Sequence, residues 1–347
     1  MRFRKIDRAL VGVLLSCGLL AACGTGDSAD SSASGPSSSG GTIRLGILQG
    51  TQTSLLPYIA SEHGFFETHG LDVQVSQINS GPALLAAMLG GDLDVFATTQ
   101  ALTTPAVNQG ECVKYLTTHA TNSVNLIGRS DVAWPNASKG FPESVRDLKG
   151  KTVGVVARGS AIETWLRIIL AEAGLDPERD VTYVETGGVS TALPAFQQGT
   201  VDAQMAFPPL EQLLGQDGFT MIYKMAGVDN SPLGDLVNQG DAASCDWLAS
   251  HEEDATAYCA AMWDAAEFVR DPANDAVNAG YVADYMNLEE AVALNVWQGL
   301  RPTVKSPPNY DQGAWDAQEK FLPPAFEGNY PGFGDSVFDP CKTDPRD

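Results

Sequence analysis

Basic residues are scarce in this 347-residue chain: 21 Lys and Arg stand against 43 Asp and Glu, a formal net charge of −22. With no basic patch to offset it, that balance excludes nucleic acid and anionic lipid headgroups as partners. Histidine is rarer still. His63, His69, His119 and His251 are scattered, and no two cysteines have the CxxC spacing, so no metal site is expected. Catalytic signatures are missing too: there is no GxSxG elbow, no Walker loop and no HExxH. The chain therefore reads as a non-enzyme that takes no cofactor.

What is present begins at the N-terminus. Arg2, Arg4, Lys5 and Arg8 form a basic head before an apolar run from Ala9 to Leu20. A permanent span needs about 20 apolar residues, so this run fits a secretory signal instead. It ends in Leu20-Ala21-Ala22-Cys23-Gly24, which matches a bacterial lipobox. Residues 1–22 are then a signal peptide, and Cys23 is the lipidated first residue of the mature chain. Acyl chains bury CH₂ groups at about 0.8 kcal/mol each, enough to hold the protein on the outer face of the cell membrane. Gly24 to Gly41 is almost all Ser, Gly, Ala, Asp and Thr. Residues 23–41 thus read as a lipid anchor and a flexible tether.

Of six cysteines, Cys17 leaves with the signal and Cys23 carries lipid. Cys112, Cys245, Cys259 and Cys341 remain, an even number in an exported chain, which predicts two disulfides. Four cysteines allow three pairings. Ser244 to Val269 reads as two helical pieces around His251, which favours Cys245–Cys259 and leaves Cys112–Cys341.

From Thr42 the pattern is strand, helix, strand, helix, strand, and then the same again. Strands are predicted at Thr42–Leu48, Leu71–Val75 and Asp94–Ala97. Helices are predicted at Leu55–Phe66 and from Ser80-Gly81-Pro82 to Gly90-Gly91. The second set has strands at Lys151–Val156, Val181–Val184 and Asp202–Ala206, with helices at Ala161–Ala173 and Val189–Gln198. Leu85, Met88, Gly91 and Asp94 align with Leu193, Phe196, Gly199 and Asp202. Two similar α/β units, joined through Thr117 to Asp131, follow from this repeat.

Three stretches carry a more specific resemblance. They are Pro57 to Gly70 with Gly64-Phe65-Phe66, Ser80-Gly81 to Asp94, and Gly150-Lys151-Thr152-Val153-Gly154 with Gly159-Ser160. Over roughly Thr42 to Met225 the chain resembles the periplasmic binding proteins for nitrate, aliphatic sulfonates, taurine and thiamine pyrimidine precursors. The resemblance implies a type II two-lobed α/β clamp, each lobe a mixed, mostly parallel sheet flanked by helices. It implies a first lobe of residues 42–125 and 226–347 and a second of residues 126–225, joined by two crossovers with ligand between them. It also implies an ABC importer's permease as partner, a monomer, and a sulfonate, nitrate, carboxylate or pyrimidine-like ligand. A sensor that signals to a membrane protein uses the same clamp. A pyrimidine-synthesis enzyme is the remaining reading, and needs a histidine-rich chemistry that four scattered histidines do not supply.

Physical chemistry points to the same cleft. Open parallel sheets bind ligands beyond the carboxyl ends of their strands, where helix N-termini offer unpaired N–H groups. Four loops fit: Gln49 to Ser54, Asn79 to Pro82, Arg158 to Ala161, and Gly187 to Ser190. The candidate contacts are Gln52, Thr53, Ser80, Gly81, Thr98, Thr99 and Gln100 from the first unit. From the second they are Arg158, Ser160, Ala161, Gly188, Val189 and Phe207. Ser160 and Glu163 form a capping box, with Glu163 expected to reach back to the Ser160 N–H. Arg158 is the lone cation suited to an anion. Trp165 and Leu166 read as helix core.

Overall fold

A computed structural model describes residues 41–225, 237–319, 322 and 330–346. The expected signal peptide, Cys23 and nearly all of the tether lie outside the described residues.

Among the described residues each sheet has two parallel and two antiparallel pairings, and the parallel ones arise where a helix carries the chain back to start the next strand at the same end. In the first sheet, β1 (Thr42–Leu48), β2 (Asp72–Ile78) and β3 (Val95–Thr98) run parallel. Between them lie α1 (Leu55–His63), α2 (Phe65–Thr68) and α3 (Gly81–Leu89), and α4 (Gln100–Asn108) follows β3. The predicted single helix Leu55–Phe66 is two, because Gly64 adopts φ 86° and reverses the chain. β4 (Val113–Thr121) leads across Asn122-Ser123-Val124 into β5 (Asn125–Arg129).

β5 belongs to a second sheet. After α5 (Glu143–Arg146) come β6 (Lys151–Val155), α6 (Ala161–Glu172), β7 (Val181–Glu185), α7 (Val189–Gln197), β8 (Ala203–Ala206), α8 (Leu210–Leu214) and β9 (Phe219–Lys224). The chain then returns to the first sheet as β10 (Val237–Ser244). It ends in α9 (Cys245–Ser250), α10 (Glu252–Arg270), α11 (Asp275–Met286), α12 (Glu290–Leu300), α13 (Gln312–Asp316) and α14 (Phe333–Ser336). Strand order is β2-β1-β3-β10-β4 in one sheet and β7-β6-β8-β5-β9 in the other. Each is mixed, with β10 antiparallel to β3 and β5 antiparallel to β8.

The repeat is visible at single residues. The Asp94 carboxylate accepts the Arg44 N–H at 2.8 Å, and the Asp202 carboxylate accepts the Thr152 N–H at 2.9 Å. Met88 and Phe196 are both buried, and Gly91 and Gly199 both have φ 79°, a conformation that excludes most side chains.

Each sheet is covered on both faces. Leu45, Ile47 and Phe66 pack with Tyr258 of α10 and Trp297 of α12, while Leu84, Phe96, Tyr115 and Trp315 fill the opposite face. In the second sheet Val153, Met205 and Trp165 form one core, and Phe196 and Leu210 another.

All four remaining cysteines are disulfide-bonded, but the pairs are Cys112–Cys245 and Cys259–Cys341, with Cα atoms 5.4 and 5.8 Å apart. The expected Cys245–Cys259 and Cys112–Cys341 pairing is corrected by strand register. Ser244 of β10 lies opposite Val113 of β4, which sets the next residue out, Cys245, beside Cys112. The Cys245 N–H donates to the Cys112 carbonyl at 3.1 Å. Cys259 instead points from mid-α10 into the core, where it meets Cys341.

Candidate functional site

Four helices begin at the carboxyl ends of the two sheets, and their first turns converge on one pocket. Ser80 caps α3, Thr99 precedes α4, Ser160 caps α6 and Gly188 precedes α7. First-turn N–H groups have no partner inside their own helix. Each helix end contributes about 0.3–1 kcal/mol toward a negative group, up to about 2 when partly buried.

The pocket encloses about 60 Å³ between the sheets. Of the residues singled out from sequence, Thr53, Gly81, Thr98, Thr99, Ser160, Ala161, Gly188 and Phe207 line it. Gln49, Thr51 and Asn79, from the loops singled out, line it as well. Phe207 is buried, yet its ring forms part of the wall.

The other five lie elsewhere. Gln52 turns away from the pocket: its Nε2 donates to Thr303 Oγ1 at 2.6 Å, and its Oε1 accepts from Ser123. Ser80 serves as a cap, its hydroxyl accepting the Ala83 N–H. Gln100 is buried in the first turn of α4. Val189 packs into the cores of the second sheet. Arg158 is half-exposed, pairs with Glu163 at 3.2 Å and lies 4.7 Å from the Tyr183 ring. Burial pushes the Tyr183 phenol up to about 12, so it stays neutral beside the guanidinium. Glu163 also differs in detail from a standard capping box. Ser160 Oγ accepts the Glu163 N–H at 3.3 Å, but the Glu163 carboxylate reaches one residue further, to the Gly159 N–H at 2.6 Å.

Two lining residues with polar side-chain atoms were not expected. Trp165 is core by burial, yet its indole N–H has no partner and it borders the pocket. Its signal was in the sequence: it stands four residues after Ala161, hence on the same helix face. Gln239 of β10 also lines the pocket, buried, with its side-chain oxygen unpartnered. No local pattern marks it, because only the return of the chain between β3 and β4 brings it there. Thr98 Oγ1 and Thr99 Oγ1 are also buried atoms of the wall without a partner, which makes four among the described residues. Unpaired buried polar atoms cost about 1–3 kcal/mol each, and a bound molecule would relieve that cost.

Behind the pocket loop lies a buried ion pair. His119 Nδ1 donates to the Thr53 carbonyl at 3.0 Å, and Nε2 meets Asp241 Oδ2 at 2.8 Å. The same oxygen accepts from Tyr258 at 2.7 Å and Thr117 at 3.2 Å. Burial acts to lower the His119 pKa, but the Asp241 carboxylate and the two hydrogen bonds outweigh it and leave the pKa raised. Among the described residues no group of three or more His, Cys, Asp or Glu could hold a metal ion.

Known proteins resemble this chain in sequence and in fold. A curated Brucella abortus protein, named only as a binding protein, is 32% identical over 169 residues, 48% of each chain. The chain therefore spans about half the length of the curated relatives it matches. The alkanesulfonate-binding protein SsuA of Xanthomonas axonopodis pv. citri, solved bound to MOPS, superposes with a TM-score of 0.65 at 19% identity. That superposition covers 86% of this chain and 97% of SsuA. The ligand-binding component of an ABC-type import system from Staphylococcus aureus, solved with zinc bound, superposes at 0.67 with 13% identity, covering 87% and 97%. At these identities the structures establish a shared two-lobed fold. Residues 39–283, well over half the chain, match the NMT1-like family, and to that family the chain belongs.

Proposed function

We propose that this chain is the extracytoplasmic solute-binding component of an ABC importer, held at the membrane by lipid on Cys23. In this reading, residues 42–125 and 226–347 form one lobe and residues 126–225 the other. A small molecule bridges them, and their closure is what the permease reads. The observation that carries it is the pocket itself. Helix N-termini from both sheets converge there, with four buried polar atoms that have no partner in the protein. The family and the names of the superposed proteins support the transport role. Among the described residues no helix is long and apolar enough to cross a membrane.

Thermal-shift screening of the protein against a broad metabolite library tests it. A true ligand at 100 times its Kd adds about 2.7 kcal/mol of stability. A library of charged and neutral solutes that leaves the melting temperature unmoved would count against the proposal.

A further inference from the structure

No charged side chain is among the described residues that line the pocket. We propose that it takes an uncharged solute with an apolar body and one polar edge that both donates and accepts hydrogen bonds, an aromatic or heteroaromatic amide being the simplest case. This rests on the reading of the chain as a solute-binding protein and names what it would carry.

The four unpartnered atoms set the polar edge. The Trp165 indole can only donate, the Gln239 side-chain oxygen can only accept, and the Thr98 and Thr99 hydroxyls do either. An anion satisfies Trp165 and the two threonines but brings no hydrogen to the Gln239 oxygen. It would also be buried with helix ends as its only counter-charge, because Arg158 is engaged by Glu163 outside the pocket. A cation fares worse: no carboxylate is among the described residues of the wall, and the helix ends repel it. A neutral molecule with an N–H and a carbonyl or ring nitrogen offers both the donor that Gln239 needs and the acceptor that Trp165 needs, and the two hydroxyls suit either. Its body would lie against Leu48, Leu102, Val124, Val156, Ile162 and Phe207. The enclosed 60 Å³ compares with about 10–15 Å³ for a single water, so several heavy atoms fit.

Benzamide, benzoate and benzylamine share one ring and differ in the charge of the polar end. Titrated calorimetrically into the full-length protein, benzamide should bind saturably, with the other two at least about tenfold weaker. Gln239→Met and Trp165→Phe should each weaken benzamide by about tenfold. Should the first variant fail to fold, the second carries the test, since it keeps an aromatic side chain while removing the indole N–H along with one ring. Tighter binding of benzoate or ethanesulfonate than of benzamide overturns the uncharged class and leaves the solute-binding reading standing. Absence of binding by all of these, with a blank across the whole metabolite library, overturns both.

Discussion

His119 is surrounded by groups that favour its charged form. A carbonyl can only accept, so Nδ1 carries a hydrogen toward Thr53. Asp241 Oδ2 accepts from Tyr258 and Thr117 and lies 2.8 Å from Nε2, where it favours a second hydrogen on the ring. Its raised folded pKa means the pair contributes stability fully below the unfolded value near 6.5. That contribution is lost as pH rises through the folded value. Melting temperatures measured from pH 5 to 9 should fall on the alkaline side, and His119→Leu should flatten that limb. The single substitution leaves a buried carboxylate unpaired and should cost about 3–5 kcal/mol, part of which His119→Leu with Asp241→Leu should recover. Denaturant titration of the three variants measures it. Arg158 gives the opposite expectation. Its partner is Glu163 and its side chain is half-exposed, so Arg158→Ala should change stability by under about 1 kcal/mol and leave ligand affinity unaltered. A large loss of affinity would return Arg158 to the site.

At the scale of elements, the β–α repeat was legible because strand and helix periods depend on neighbours in sequence. Asp94 and Asp202 aligned there, and in the fold they hold equivalent strand N–H groups. The pocket loops were legible for the same reason, since Ser160 and Gly188 mark helix starts. What local pattern could not show was which residues meet across the fold. Gln239 reaches the pocket only through β10, and Cys112 finds Cys245 only through the β4–β10 register. Gly64 was read as part of a continuous helix because the apolar spacing on either side survives the break. The register makes its own prediction. Replacing Cys112 and Cys245 together with alanine should lower stability by about 2–4 kcal/mol, since the bridge closes a span of 133 residues. Peptide mapping without reduction should recover Cys112 with Cys245 and Cys259 with Cys341. Recovery of Cys245 with Cys259 would contradict the register.

For the whole molecule, two sheets that each supply part of one pocket imply that a guest binding both favours the closed arrangement. Only a difference in affinity between open and closed forms can shift that balance. Small-angle scattering should show compaction at saturating ligand, and an unchanged profile would rule out closure. Cys23→Ala should abolish fatty-acid labelling and release the protein from membranes. Continued labelling would place the lipid elsewhere.

The position of β10 between β3 and β4 has a consequence for the order in which the chain acquires structure. The first sheet lacks its inner strand until everything from β5 to β9 has been made. The second sheet is continuous in sequence and waits for nothing. All four bridged cysteines lie outside it, with Cys112 before β5 and the other three after β10. Non-local pairing is slow because distant segments must be brought together before contacts reward them. Residues 125–224 should therefore gain hydrogen-exchange protection early in refolding, with or without reductant. Protection in β1, β3, β4 and β10 should come later and should weaken in reductant. Simultaneous protection of both sheets would show instead that the molecule assembles as a single cooperative unit.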